Sequence, residues 1–292
     1  IKPGVMHACG HDGHTACLLG AAKHLSENPN FAGTVHLIFQ PAEEGGHGAE
    51  KMIADGLFDD FSCDAVFGMH NWPWVPLGQA GITAGPIMAS VDEFDITITG
   101  KGGHAALPQA CIDPIIVAAQ IINTAQTLIS RTLDPVKAAV LSFTELHAGE
   151  GTHNVIPETA KIRGTIRTFD MDVRDDLHDR LITIVNKTAE MNTATVQINI
   201  IRHVDPTINH AEEAMFCADI MAGMIGEENM DRNVAPCMGG EDFGTMIIDR
   251  PGAYIWIGQG TGDTASPHNQ GLHSPKYDFN DEMIPLAVEY FV

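Results

Sequence analysis

The chain has 292 residues, 44% of them hydrophobic and 18% charged, with 16 Lys plus Arg against 38 Asp plus Glu for a formal net charge of −22. At about 150 residues per domain this length favours two domains, and the composition is that of a globular chain with ample core. So acidic a balance argues against nucleic acid or an anionic membrane surface as partner, since both require clustered Lys and Arg, and no run of about 18 apolar residues is available to span a bilayer.

The chain opens on Ile1-Lys2-Pro3-Gly4-Val5, with neither a starting Met nor a signal-peptide pattern, and is expected to be a fragment entered mid-domain. Six unpaired-looking cysteines read as the reduced thiols of an intracellular, cytoplasmic protein. A polar opening and helix-former spacing predict a helix over 12–27. The β-branched run 33–39 predicts a buried strand that stops at Gln40-Pro41, and a short helix follows at 49–57. A second apolar run at 64–69 ends at His70-Asn71-Trp72-Pro73. Strands alternating with helices argue for a parallel α/β sheet with functional groups at strand carboxyl ends.

The texture changes after Gly85-Pro86. Alternating runs at 94–99, 139–146, 161–169 and 195–201 enclose helices at 114–131 and 173–191. That order is βαββαβ, the ferredoxin-like split unit, and alternation implies a sheet with one buried and one wet face. A helix at 211–223, a strand at 253–257 and a closing helix from Asp281 return to the first pattern. The fold class is therefore α/β, with one domain over 1–86 and 207–292 interrupted by an α+β domain over 87–206. Met215, Met221 and Met224 at helical spacing read as core.

Four clusters stand beside Gly or Pro at the ends of apolar runs: Cys9-Gly10-His11-Asp12, Glu43-Glu44-Gly45-Gly46, His70-Asn71 and Leu272-His273-Ser274-Pro275. Singly, each reads more readily as core or solvated surface. Together they supply sulfur, nitrogen and oxygen donors, the ligand set of zinc and related divalent metals. Two residues apart, Cys9 and His11 point to one side of an extended or turning backbone. Neighbouring Glu43 and Glu44 diverge on a strand, but at a turn one can bind metal while the other holds water. Trp72 and Trp74 flank Pro73 and suit either an aromatic acyl pocket or ordinary packing.

The segments from Met6 to Thr15 (MHACGHDGHT) and from Phe39 to Gly46 (FQPAEEGG), with Gly68-Met69-His70-Asn71, Gly100-Lys101-Gly102-Gly103-His104-Ala105-Ala106, Asn154-Val155-Ile156-Pro157, the segment from Arg163 to Phe169 (RGTIRTF) and Gly239-Gly240-Glu241-Asp242-Phe243, resemble the M20 metallopeptidase family. Within it the match is to the amidohydrolase branch of hippurate hydrolases, N-acyl-amino-acid hydrolases and plant indole-acetyl-amino-acid hydrolases. The resemblance implies an exopeptidase-like, metal-binding catalytic domain with an inserted lid and dimerisation domain, and a further N-terminal part upstream with an Asp-containing motif. It implies two divalent ions (Mn, Zn, Ni or Co) held by Cys9, His11, Glu44, His70 and His273, with Cys9 shared. Glu43 is similar to the general base that takes a proton from the activated water. His104 resembles a histidine that crosses a homodimer to the oxyanion, and Asn154 and Arg167 match positions associated with substrate binding. The expected substrate is a small N-acyl amino acid. The same site also fits a peptidase or deacetylase on another amide, such as a dipeptide or N-acetyl-diaminopimelate, or a non-catalytic binding relative. His14, Glu241 and Asp242 read equally as support for the ligands or as structure. Gln109 stands where the family often carries His, which bears on substrate preference and not on the metal site.

Overall fold

The computed structural model describes residues 4–292; the first three residues of the expected 1–86 segment lie outside the described residues. In chain order the main elements are α1 (His11–Glu27), α2 (Gly48–Ala54), β1 (Val66–Pro76), β2 (Ala80–Gly81), β3 (Val91–Thr99), α3 (Pro114–Thr127), β4 (Ala139–Ala148), β5 (Thr159–Thr168), α4 (Met171–Met191), β6 (Thr195–Val204), α5 (Ala211–Ile225), β7 (Met230–Asp231), β8 (Gly252–Gly260) and α6 (Ile284–Tyr290). They form two compact units. One holds the chain up to Ile87 with Thr207–Pro236 and Asp242–Val292; the other holds Met88–Pro206 with Cys237–Glu241.

The second unit is a βαββαβ array whose antiparallel sheet runs β4-β5-β3-β6. Alternation along β3 buries Phe94, Ile96 and Ile98 on one face. Both helices start on an Asp cap: Asp113 accepts from the Ile115 N–H at 2.9 Å and Asp170 from the Asp172 N–H at 3.0 Å, the standard means of satisfying free first-turn donors. Their apolar stripes, Val117-Ile121-Ala125 on α3 and Leu177-Leu181-Val185 on α4, pack onto that face. Each fully buried Ile or Leu contributes about 1.5–3 kcal/mol. Next to this core, the Arg174 guanidinium is fully buried against the Asp92 carboxylate (Nε to Oδ2, 2.9 Å), and His178 Nε2 meets the same carboxylate at 2.7 Å. Arg174 also pairs with Asp205. Burial raises the Asp92 carboxyl, but the His178 and Arg174 hydrogen bonds and the Arg174 charge outweigh it and hold the group below its usual value.

The first unit contains a four-stranded sheet in the order β1-β8-β2-β7. It is mixed rather than parallel as expected: β1 and β8 run parallel, β8 and β2 antiparallel, β2 and β7 parallel. The reason is the link from Pro76 to Ala80, closed by a Gln79 N–H to Pro76 carbonyl bond of 3.0 Å. A crossover between parallel strands needs a dozen or more residues, so β2 has to reverse. Every residue of β8 is buried. Cys17 of α1 and Met283 and Ala287 at α6 share its core.

Two expectations are corrected here. Residues 33–39 form no strand, and Val35, Leu37 and Phe39 are 48%, 37% and 43% exposed. Their alternation is strand-like, but among the described residues no neighbour offers them a ladder. Met215 is exposed while Met221 is fully buried, because only one face of α5 meets the sheet. No helix of the described residues is long and apolar enough to cross a membrane.

Candidate metal centre

Local backbone brings the first ligands together. Gly10 has φ 94° just before α1, and a Cβ there would collide with Asn71 Oδ1 and lie 2.6 Å from the Tyr277 hydroxyl. Glycine alone fits this turn, which leaves Cys9 buried and puts His11 at the start of the helix. His70 does not end its strand: β1 runs on through it to Pro76. The turn carrying Glu43 and Glu44 is closed by a Gly46 N–H to Ala42 carbonyl bond of 3.0 Å. His273 sits in a loop at φ 64°, tied by its N–H to the Ala8 carbonyl at 2.6 Å.

The donor atoms of Cys9, His11 and His70 lie within 4.8 Å of one another, as do those of Cys9, Glu44 and His273, and those of His11, Glu43 and Glu44. Cys9 belongs to two of these groups. Cys9 Sγ is 3.4 Å from His70 Nε2, His273 Nε2 is 2.9 Å from Glu44 Oε1, and His11 Nε2 is 3.7 Å from Glu43 Oε2. His70 Nδ1–H donates to the Asn71 carbonyl at 2.7 Å, so the Nε2 lone pair is the one turned toward Cys9. Burial pushes the His70 ring down to about 4 and also lowers His11, against the opposing pull of the Glu44 carboxylate. Both rings are therefore neutral near pH 7, the form that ligates metal. Mixed S, N and O donors in such overlapping groups fit divalent metal ions.

The remaining expected site residues lie in the other unit. His104 and Asn154 are adjacent there, because Gly103–His104 pairs with Val155–Ile156 and the Ala105 N–H reaches the Asn154 carbonyl at 3.0 Å. Arg167, on β5, donates through Nη1 to the Met238 carbonyl at 2.9 Å. Trp72 is buried and stacks on Trp256 with centroids 4.0 Å apart, while Trp74 is exposed.

Of the undecided residues, His14 is half-buried with its ring centroid 4.5 Å from that of His70, and its Nε2 meets Asn71 Oδ1 at 2.7 Å. Buried Asp242 holds both flanks of the Glu43–Glu44 segment, accepting from Gln40 Nε2 at 2.6 Å and the Ala49 N–H at 3.0 Å. Glu241 is buried in the other unit. Three supporting residues were not singled out from sequence: Gln40, Gln259 and Tyr277. Their bonds span long stretches of chain that no local pattern marks.

The family model "Peptidase family M20/M25/M40" matches residues 1–292. The chain is 37% identical over 290 residues to a hippurate hydrolase of Campylobacter jejuni, covering 99% of this chain and 73% of that protein. It is 39% identical over 296 residues to an N-acetyl-L-cysteine deacetylase of Bacillus subtilis, covering 99% of this chain and 66% of that one. A solved Bacillus subtilis structure described as a dinuclear metal-binding peptidase of the M20 family superposes with a TM-score of 0.80 at 33% identity, over 99% of this chain and 72% of that one. The chain thus belongs to peptidase family M20/M25/M40, a family of hydrolases acting on amide bonds.

Proposed function

We propose that this chain carries the chemistry of a metal-dependent amidohydrolase that cleaves N-acyl amino acids of the hippurate type. The observation that carries this is the convergence of Cys9, His11, Glu44, His70 and His273 beside Glu43. The names of the relatives support the substrate class, since hippurate and N-acetylcysteine are both N-acylated amino acids, and the dinuclear description of the similar structure supports two ions. When bound, divalent ions supply Lewis acidity that brings a water's pKa toward neutrality. In this reading Glu43 takes the proton of the attacking water and delivers it to the leaving amine. Arg167 and Asn154 recognise the free carboxylate, which suits a guanidinium fork and an amide donor. The segments 1–86 and 207–292 form the catalytic part, and 87–206 forms a lid that pairs two copies and presents His104 to the oxyanion.

The test is metal analysis of purified protein combined with a panel of hippurate, N-acetylcysteine, indole-acetyl amino acids, N-acetyl-diaminopimelate and dipeptides. Metal-dependent turnover is expected for the N-acyl amino acids. Activity confined to dipeptides, or activity that survives complete chelation, overturns the reading.

A further inference from the structure

Behind the ligands lies a buried polar chain whose hydrogen-bond direction is fixed from one end. Gln259, at the end of β8 and fully buried, donates through Nε2 to the backbone carbonyls of His268 at 2.9 Å and Asp278 at 3.3 Å. A carbonyl can only accept, so the Gln259 amide has one orientation and its Oε1 faces inward. That oxygen accepts from Asn71 Nδ2 at 2.8 Å, and the second Nδ2 hydrogen goes to the Tyr277 hydroxyl, also at 2.8 Å. With both its donors used, Asn71 presents Oδ1 outward at 2.7 Å from His14 Nε2, and its backbone N–H reaches the same ring nitrogen at 3.1 Å. The His14 ring stands edge-on to His70, and its centroid is 5.6 Å from that of His11. The backbone carbonyl of the same Asn71 holds His70 Nδ1–H. Tyr277 and Asn71 also form the wall against which the Gly10 turn, between Cys9 and His11, is pressed.

We infer that Gln259 and Tyr277 are positioning residues of the metal centre, acting through Asn71 to set the His70 and His14 rings and the Cys9–His11 turn. The inference rests on the metal-site reading above. Partners of this kind fix the tautomer and angle of a ligand before the ion arrives, and losing one typically costs about 10–100-fold in metal affinity. A purely structural role for the same bonds predicts lower stability with unchanged affinity.

The experiment strips the protein with chelator and titrates Co(II) into the wild type and into Tyr277→Phe and Gln259→Met, following thiolate-to-cobalt absorption and competition with a chelator of known affinity. Thermal unfolding of the metal-free forms is recorded alongside. The expected result is about 10–100-fold weaker Co(II) binding with an altered spectrum in both variants. If Gln259→Met fails to fold, Tyr277→Phe, which deletes a single oxygen, carries the test. Variants that bind Co(II) as tightly as the wild type with the same spectrum overturn the inference alone, whatever their melting temperatures. A wild-type chain that binds no Co(II) overturns the functional reading, and the inference with it.

Discussion

Gln40 and Asp242 stand 202 positions apart in sequence, yet Gln40 Nε2 donates to Asp242 Oδ1 at 2.6 Å. The other carboxylate oxygen receives the Ala49 N–H at 3.0 Å. One side chain therefore closes both flanks of the segment bearing Glu43 and Glu44. Asp242→Ala leaves the half-buried Gln40 amide and the buried Ala49 N–H without acceptors, an expected cost of about 1–3 kcal/mol. Urea denaturation in chelator should show that loss, and turnover at saturating metal should drop because the two glutamates are no longer held. Unchanged stability and rate in this variant would remove the clamp from the account.

Glu43 and Glu44 are adjacent and both stand beside His11, but only Glu44 also meets His273 and shares a donor group with Cys9. Glu43→Gln should keep the metal and lose turnover by about 10²–10⁴-fold, the usual loss for a general base. Glu44→Gln should lose metal instead. Metal content and kcat measured on both variants decide the assignment, and the reverse pattern exchanges their roles.

What was readable in the sequence had a local period or a local chemical signature. The alternation at Phe94-Ile96-Ile98 and the stripe Leu177-Leu181-Val185 announce a strand and a helix, because a single buried face imposes each period. The donor residues were visible because Cys, His and Glu beside Gly and Pro are uncommon company. Residues 33–39 show the limit: the strand pattern is present, but a strand needs a neighbour, and pattern carries no information about one. The mixed sheet was missed because β2 is two residues long. Gln259 and Tyr277 were invisible for a related reason, since their partner Asn71 lies 188 and 206 positions away.

Asp92→Asn tests the buried ion pair of the second unit. Arg174 would keep Asp205 but lose its fully buried counter-charge, and removing one partner of such a pair costs about 3–5 kcal/mol. The Asp205 contact sets the expectation at about 3 kcal/mol, the low end of that range. The acid dependence follows from the lowered Asp92 carboxyl. Its contribution is complete above the ordinary carboxylate value of about 3.8 and fades as pH drops through the lower folded value. Denaturation curves at pH 7 and across the acid range, for wild type and variant, check both points.

His70 gives a second pH dependence with the opposite chemistry. Unfolded, the imidazole takes up a proton near 6.5; folded and buried, only at about 4. Between those values the unfolded chain binds more protons, so stability is fully present above 6.5 and declines as pH is lowered toward 4. The shift corresponds to about 3 kcal/mol. Chemical denaturation of the metal-free protein at pH 7.5, 6 and 5 should show the decline. A flat profile would mean that His70 is protonated or exposed in the folded protein.

His104 is the expectation that reaches beyond a single chain. Its Nδ1 accepts the Ala106 N–H at 3.0 Å, so in the neutral ring the proton sits on Nε2, as a donor to a developing oxyanion requires. Removing one such donor typically costs about 2.7–4 kcal/mol of transition-state stabilisation, so His104→Ala should lower kcat strongly and leave metal content unchanged. The ring belongs to the unit of Met88–Pro206, whereas the candidate ligands belong to the other. The family resemblance assigns it to the site of a partner copy. Mixing Glu43→Gln with His104→Ala under conditions of subunit exchange separates the two arrangements. If His104 serves its partner, a mixed dimer has one site carrying both lesions and one carrying neither, and about half the activity of a wild-type dimer returns in that species. If it serves its own chain, each site keeps one lesion and mixing restores nothing.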